Sequence, residues 1–264
     1  MPDIKTVCEE TVKIARETGQ FVKQSRQENR PDVETKGRND FVTEIDKTSE
    51  EKLVKALGEL LPEAGFIAEE NTSNKEGNTY NWIIDPIDGT TNFIHGLYPY
   101  AISIALQENQ EMVLGVVYEI GMDECFYAWK GGPALLNGTE IKVSETSAVA
   151  DSLIATGFPY TNYSRINNFM ETLDFFMKNS HGLRRLGSAA ADLAYVACGR
   201  FDAFYEYSLK PWDVAAGAFI IQQAGGKVSD FKGGNNYLHG GEIVTANGTM
   251  FQEMKDVIKK IMTQ

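Results

Sequence analysis

Histidine and cysteine are both scarce in this 264-residue chain, which contains three of each. The cysteines lie far apart and none forms a CxxC pair, so the sequence predicts neither a disulfide framework nor a structural zinc site. The histidines, His95, His181 and His239, lie in no recognisable triad. We therefore assign no serine, cysteine or histidine nucleophile.

Long apolar runs and a surplus of positive charge are also missing. No segment approaches the roughly 18 apolar residues that a membrane span needs, and the first residues lack the pattern of a secretory signal. The net charge of −12 at pH 7 repels nucleic acids and anionic membranes. We expect a cytoplasmic protein that binds neither, and a phosphate substrate would need cations that the protein recruits.

The hydrophobic pattern changes along the chain. Apolar residues at three- and four-residue intervals over residues 3–26 predict an amphipathic helix, and Thr43 and Asp46 are spaced like the start of a second helix that ends before Pro62. Short apolar runs from residue 65 onwards predict strands. In the second half, strand-like segments, RRLG among them, alternate with helical ones up to a last helix near Met250. This pattern predicts a layered α/β fold.

The sharpest motif is WIIDPIDGTTNF, in which an apolar strand runs directly into two acids. The proline between them fixes the backbone so that Asp85 and Asp88 can converge, and the carbonyl of Ile87 is a third oxygen that could bind the same cation. If GTTNF begins a short helix, the free N–H groups of Gly89 and Thr90 would point at an anion. The alternative is an ordinary Asp-Pro-x-Asp-Gly turn with capping side chains.

Two further acids could join this cluster. Glu69 ends the predicted strand GFIAE, and Asp213 precedes a helix rich in small residues. In isolation, Glu69 would be a solvated strand end and Asp213 a helix N-cap. Local sequence alone leaves both alternatives open.

Taken together, these segments resemble the inositol monophosphatase family of lithium-sensitive, metal-dependent phosphatases. WIIDPIDGTTNFIH is similar to the first family signature and WDVAAGAFIIQQAGG to the second, and NDFVTEID, GFIAEE and LGSAA occur in the same order. The resemblance spans about residues 36–246. It implies a five-layered αβαβα sandwich, with an N-terminal α+β half at 1–145 and a C-terminal α/β half at 146–264, and it suggests a homodimer.

The resemblance also implies a site for two to three Mg²⁺ ions. Glu69, Asp85 and the Ile87 carbonyl would bind the first ion, and Asp85, Asp88 and Asp213 the second, while Glu69 would help to hold a third. Such ions neutralise a phosphate ester and lower the pKa of a bound water, so no phosphoenzyme is needed.

The resemblance also implies which residues act in catalysis and which bind the phosphate. Asp46 and Thr90 match the residues that orient and deprotonate a metal-bound water, and together with Glu69 they form the predicted catalytic set. The backbone of Gly89 and Thr90 would hold the phosphate.

The predicted substrate is a small phosphate monoester, with myo-inositol monophosphate favoured because GTTNF resembles that branch of the family. By resemblance, the hydroxyl groups of the leaving alcohol would be recognised by six residues: Asp88, Gly187, Ser188, Ala189, Glu206 and Asp213. A carboxylate at position 206 can accept two hydroxyl hydrogen bonds, although a solvated strand end is the alternative. Fructose 1,6-bisphosphate and the 2′-phosphate of NADP remain alternative substrates, and a catalytically silent metal or phosphate sensor is a further alternative.

Three positively charged side chains bear on the choice of substrate, which the sequence leaves open. Lys210 precedes the Pro-Trp-Asp motif and could pair with a second phosphate or face solvent. Strand alternation sends Arg184 and Arg185 to opposite faces, so at most one should reach the cleft. The polar loop at 71–81 could shape access to the cleft. The aromatic segment at 158–169 could form a cleft wall or a dimer surface, or it could pack at the edge of the core.

Overall fold

Two β-sheets alternate with three layers of helices in the computed structural model, which describes residues 3–28, 33–37, 40–73, 75–160 and 162–263. The helices are α1 (Ile4–Glu28), α2 (Glu44–Leu60), α3 (Thr90–His95), α4 (Ile166–Asn179), α5 (Ala189–Ala197), α6 (Pro211–Gln223) and α7 (Phe251–Met262), with a 3₁₀ turn at Val149–Asp151. Among the described residues, no helix has the length and apolar character to cross a membrane.

The strands fall into a hairpin and two larger sheets. The hairpin and the first sheet contain β1 (Val33–Gly37), β2 (Asp40–Thr43), β3 (Gly65–Ala68), β4 (Tyr80–Asp88), β5 (Ala101–Glu108), β6 (Glu111–Glu119), β7 (Glu124–Trp129), β8 (Leu135–Leu136) and β9 (Thr139–Glu140). The second sheet contains β10 (Leu153–Thr156), β11 (Gly182–Arg184), β12 (Ala203–Tyr207), β13 (Lys227–Ser229) and β14 (Glu242–Ala246).

Helices α1 and α2 form the first layer and cover one face of the seven-stranded sheet, whose strand order is β3-β4-β5-β6-β7-β8-β9. Both helices match the predicted segments. Helix α2 begins at a capping box, because the Thr43 hydroxyl accepts hydrogen bonds from the first turn and Asp46 accepts one from the Thr43 backbone N–H at 2.9 Å.

Helices α5 and α6 form the middle layer between the two sheets. Every residue of α5 is buried, which explains its composition of small and apolar side chains around a single acid, Asp192. Helix α6 lies so close to β6 that a Cβ atom on Gly115 would come within 2.7 Å of the Ala216 carbonyl oxygen. Small residues at these positions allow the layers to approach.

Helices α4 and α7 form the last layer and pack on the five-stranded sheet, whose order is β11-β10-β12-β14-β13. A third apolar cluster fills this interface. The order of layers is therefore helix, sheet, helix, sheet, helix, which confirms the predicted αβαβα sandwich. The division into halves at about residue 145 stays a prediction, with β3–β9 before it and β10–β14 after it.

One strand is shorter than predicted. The segment RRLG at 184–187 reads as a strand in the sequence, but β11 ends at Arg184, where its pairing with Ala155 of β10 also ends. Arg185 to Gly187 form the turn before α5, because Ser188 caps that helix and accepts a hydrogen bond from the Ala191 N–H. The strand prediction for residues 185–187 was wrong.

Candidate active site

A β-bulge at the end of β4 brings the two acids of the DPID segment together. Residues three apart in a regular strand point to opposite faces. Here Asp85 pairs with Ser103 and Asp88 with Ala101, so β4 carries one residue more than β5 between these two pairs. The extra residue turns the second carboxylate towards the first. The acid-proline spacing in the sequence therefore has a direct structural consequence.

Asp213 reaches the same point from the second half of the chain. One carboxylate oxygen each from Asp85, Asp88 and Asp213 lie within 4.8 Å of one another. Asp213 is the third residue of α6, and its Oδ2 accepts a hydrogen bond from the Lys210 N–H at 2.7 Å. It is therefore not the N-cap that the sequence left open, because Lys210 occupies that position.

Burial and mutual repulsion raise the pKa values of these carboxyl groups. Burial raises the pKa of Asp85 well above its usual range, and the charges of Glu69, Asp88 and Asp213 raise it further. Burial also raises the pKa of Asp213 to about 8 and that of Asp88 to about 6, although Asp88 gains hydrogen bonds that favour its charged form. Buried carboxylates this close together are costly unless cations offset their charge. Their ligand atoms are all oxygens, which Mg²⁺ and Ca²⁺ prefer.

Glu69 lines the same cleft just beyond the end of β3. Its backbone N–H continues the pairing of β3 with β4 by donating to the Ile84 carbonyl at 3.2 Å. The following turn is held by Glu50, a buried acid of α2 that accepts hydrogen bonds from the Glu70 and Thr72 N–H groups at 2.7 and 2.8 Å. Glu50 was not singled out in the sequence, because only the fold brings α2 to this turn.

Thr90 links the acidic cluster to α2. Its Oγ1 lies 3.0 Å from the Ile87 carbonyl oxygen and 3.3 Å from Oδ1 of Asp46. Asp46 is fully buried, and its other oxygen, Oδ2, accepts hydrogen bonds from the Thr43 backbone and hydroxyl. Asp46 therefore has one oxygen committed to helix capping and one facing Thr90. The structure brings this predicted pair into contact.

The GTTNF segment forms the short helix α3. Gly89 precedes it with a φ of 93°, a left-handed conformation that other residues rarely adopt, and its Cβ would lie 3.1 Å from the Gly187 carbonyl. Asn92 ties α3 to the opposite wall by donating to the carbonyls of Pro99 and Leu186, both at 2.8 Å. Gly89, Thr90 and Thr91, at the start of α3, line the cleft.

The wall opposite the cluster comes from the second half of the chain. Gly187, Ser188 and Ala189 line it, and the Ser188 hydroxyl and Ala190 N–H donate to Oδ2 of Asp88 at 2.5 and 2.7 Å. Glu206 of β12 is buried rather than the solvated strand end that the sequence left open. Burial and the charges of Asp192, Asp213 and Asp88 raise its pKa well above the usual range.

These groups surround a single cleft of about 270 Å³. Of the predicted site residues, it is lined by Glu69, Asp85, Ile87, Asp88, Gly89, Thr90, Gly187, Ser188, Ala189, Glu206 and Asp213. Asp46 lies behind Thr90. Lys210 and Arg185 also line the cleft, whereas Arg184 is exposed and donates to the Leu183 carbonyl. One of the two arginines therefore reaches the cleft, but Arg185 lies beyond the end of β11, so strand alternation is not the reason. Of the segment at 158–169, Tyr160 reaches the cleft wall.

Some lining residues carried no sequence signal. Asp192 is a buried acid in an otherwise apolar helix, which marks it as unusual, but nothing local shows that it faces the cleft. Gly157 follows β10, and a Cβ there would lie about 2.0 Å from the Glu206 carboxylate. The neighbouring pairing of Thr156 with Tyr205 explains this contact. Strand order is not readable from the sequence, so neither residue could be assigned.

An αβαβα sandwich with a carboxylate-lined cleft defines an α/β protein whose site could hold cations. The sequence model of the inositol monophosphatase family matches residues 3–262, and the chain belongs to that family.

Relatives carry two kinds of name. The inositol-1-monophosphatase of Mesorhizobium japonicum is 40% identical over 229 residues, which cover 86% of this chain and 86% of that protein. The Nus factor SuhB of Pseudomonas aeruginosa is 40% identical over 232 residues, again 86% of each chain. Among solved structures, the extragenic suppressor protein suhB from Bartonella henselae matches with a TM-score of 0.91 and 35% identity, covering 97% of this chain and 99% of that one.

Proposed function

We propose that this protein is a cytoplasmic, Mg²⁺-dependent phosphomonoesterase that hydrolyses myo-inositol monophosphate to inositol and phosphate. The observation that supports this most strongly is the convergence of three carboxylates within 4.8 Å beside the Thr90–Asp46 pair. Membership of the inositol monophosphatase family supports a phosphatase. Inhibition by lithium and assembly as a homodimer go with the proposal.

The carboxylate cluster and its neighbours would hold two to three Mg²⁺ ions. Glu69, Asp85 and the Ile87 carbonyl would hold the first, Asp85, Asp88 and Asp213 the second, and Glu69 part of a third. When bound, such ions offset the charge of the phosphate and lower the pKa of a water. The raised pKa values of Asp85 and Asp213 fit this role, since burial and the repulsion between neighbouring carboxylates both disfavour the charged forms, and bound cations would stabilise those forms.

The Thr90–Asp46 pair would carry the proton from the attacking water. The Thr90 hydroxyl accepts that proton as it passes its own to Oδ1 of Asp46, 3.3 Å away. The helix cap at Oδ2 keeps Asp46 in place during the transfer. Proton transfer by a positioned group of this kind contributes roughly 10²- to 10⁴-fold to a rate.

The two ends of the substrate would contact different halves of the protein. The N–H groups of Gly89 and Thr90 would hold the phosphate at the start of α3. On the other side, Glu206, Asp88 and Asp213, with the turn of Gly187, Ser188 and Ala189, would accept and donate hydrogen bonds to the hydroxyls of the alcohol. The buried position of Glu206 supports a role as acceptor, because a buried carboxylate without partners is costly.

Release of phosphate tests this function. Inositol 1-phosphate, fructose 1,6-bisphosphate and NADP are each supplied with Mg²⁺ or with EDTA, and Asp85→Asn serves as the inactive control. We expect Mg²⁺-dependent turnover of inositol 1-phosphate that EDTA and Asp85→Asn abolish. A preference for either other substrate would keep the mechanism and assign Lys210 to a second phosphate, whereas no release from any would favour a silent metal or phosphate sensor.

The identity to a protein named Nus factor SuhB supports a second candidate function, that of a Nus factor. The chain's charge of −12 favours a protein rather than a nucleic acid as its direct contact in that role. Expression of Asp85→Asn in Pseudomonas aeruginosa that lacks its own SuhB separates the two functions. Complementation by the inactive variant would support the second function, and complementation only by the wild type would tie the role to catalysis.

A further inference from the structure

Arg185 is held in an unusual setting on the leaving-group side of the cleft. Its guanidinium carbon lies 5.1 Å from the ring centre of Phe158 and 5.6 Å from that of Tyr160, and Nη2 donates a hydrogen bond to the Tyr160 hydroxyl. Contacts of this kind between a cation and aromatic faces are attractive. The two rings clamp Arg185 in one position.

The clamp places a positive charge beside buried acids. Asp192 and Glu206 are 1% and 6% exposed and line the same cleft as Arg185. Burial raises the pKa values of both carboxyl groups, and the charge of Arg185 opposes that rise. Arg185 therefore favours the charged forms of Asp192 and Glu206 against the effect of burial.

Among the residues that the structure describes, two buried polar atoms of this wall find no hydrogen-bond partner. They are Nε of Arg185 and Oδ1 of Asp192, one a donor and the other an acceptor. Buried polar groups normally have hydrogen-bond partners, so an unpaired donor and an unpaired acceptor beside one cleft indicate a place for a ligand hydroxyl or water. Gly157 lets the Glu206 carboxylate pack against the backbone on the same cleft, since a Cβ at this position would lie about 2.0 Å from it.

We propose that Arg185, clamped by Phe158 and Tyr160 beside Glu206 and Asp192, is a specificity-determining residue that selects a neutral polyol leaving group over one bearing a second phosphate. This inference rests on the proposed function. Arg185 already donates one hydrogen bond to Tyr160, and the wall sets two acidic side chains, Asp192 and Glu206, against this one guanidinium. Hydroxyl groups can both donate to and accept from such a wall, whereas a second phosphate offers acceptors only and competes with the two acidic groups for one guanidinium.

Steady-state kinetics of matched arginine variants test the proposal. Arg185→Gln removes the charge, Arg185→Lys keeps the charge without the planar fork, and Phe158→Leu removes one ring of the clamp. Arg184→Gln is the control, because Arg184 is the exposed neighbour that points away from the cleft. The substrates are inositol 1-phosphate, fructose 1,6-bisphosphate and phenyl phosphate, which has no hydroxyl groups.

We expect Arg185→Gln to raise KM for inositol 1-phosphate about tenfold, which corresponds to about 1.4 kcal/mol, with kcat changed less than threefold. KM for phenyl phosphate should stay within about twofold, which shows that the variant folds and keeps its metals. Arg185→Lys should recover part of the loss, Phe158→Leu should show a smaller loss, and Arg184→Gln should match the wild type. An unchanged KM for inositol 1-phosphate in Arg185→Gln would overturn the proposal, as would a larger loss with fructose 1,6-bisphosphate.

Binding provides a readout that does not need turnover. Calorimetric titration with inositol 1-phosphate in the presence of Ca²⁺ should show about tenfold weaker binding by Arg185→Gln than by Arg184→Gln. If the wild type hydrolyses none of the esters, the proposed phosphatase function fails, and this titration still decides the role of Arg185. Equal affinities of the two variants would remove Arg185 from substrate selection.

Discussion

The Ser188 hydroxyl donates a hydrogen bond to Oδ2 of Asp88 at 2.5 Å, across 100 residues of sequence and across the cleft between the two sheets. The Ala190 N–H donates to the same oxygen at 2.7 Å. Oδ2 is thus occupied by the first turn of α5, which leaves Oδ1 as the oxygen available to a cation. The position of this carboxylate depends on both halves of the chain.

Ser188→Ala should therefore weaken metal binding and stability together. The variant loses a charge-assisted hydrogen bond and the N-cap of α5, so we expect the free energy of unfolding to fall by about 1–2 kcal/mol. The Mg²⁺ concentration for half-maximal turnover should rise several-fold, and Ser188→Thr should retain most of both properties. Urea unfolding and Mg²⁺ titrations measure the two effects. Unchanged Mg²⁺ dependence would show that the Ala190 N–H alone holds Asp88.

Thr90→Ala should lower kcat roughly 100-fold or more while KM changes little, because the hydroxyl between Ile87 and Asp46 acts in proton transfer rather than in binding. Thr90→Ser keeps the hydroxyl and should recover most of the rate. The measurement is steady-state phosphate release at saturating Mg²⁺. A rise in KM with kcat unchanged would instead make Thr90 a substrate-binding residue.

Without metal, the acidic cluster should make stability fall as the pH rises. The pKa of Asp213 is raised to about 8, against about 4 in an unfolded chain, so the folded state binds more protons between these values. While only the unfolded chain ionises at this site, each pH unit costs about 1.4 kcal/mol, and the loss is complete above the folded pKa. In EDTA, urea unfolding of Asp213→Asn should show a weaker decline with pH than the wild type. Parallel curves would contradict the raised pKa.

The hydrophobic period predicted most of the fold. Both N-terminal helices and the strands from residue 65 were predictable because their apolar spacing is regular and their caps are local, as Thr43 and Asp46 show. Helix α4 was not predicted, although Phe169, Thr172 and Phe176 are buried at three- and four-residue spacing, because the preceding aromatic residues obscured its start.

The candidate site also contains residues that local sequence made recognisable and residues that only the fold brings to the cleft. The carboxylates at strand ends were recognisable because acid and proline follow an apolar run, and the bulge of β4 gives that spacing its effect. Gly157, Asp192 and Glu50 were not recognisable, because each contributes only through an element that is distant in sequence. Gly157 faces Glu206 only because β10 and β12 are neighbours. Local sequence drew attention to the carboxylates of β4, whereas the opposite wall of the cleft depends on strand order.

Two glycine-to-alanine substitutions should shift stability in opposite directions. At Gly115 a new Cβ would lie 2.7 Å from the Ala216 carbonyl oxygen, which is backbone that cannot yield without moving α6 away from β6. Overpacking of this kind costs about 1–3 kcal/mol, so Gly115→Ala should lower Tm. Gly58 lies within α2, where a new Cβ would meet only Phe66 Cζ at an ordinary 3.7 Å. Gly58→Ala should therefore gain about 0.5–1 kcal/mol from helix propensity. Thermal unfolding of both variants checks the pair, and a Gly115→Ala variant as stable as the wild type would show that the middle layer has room to adjust.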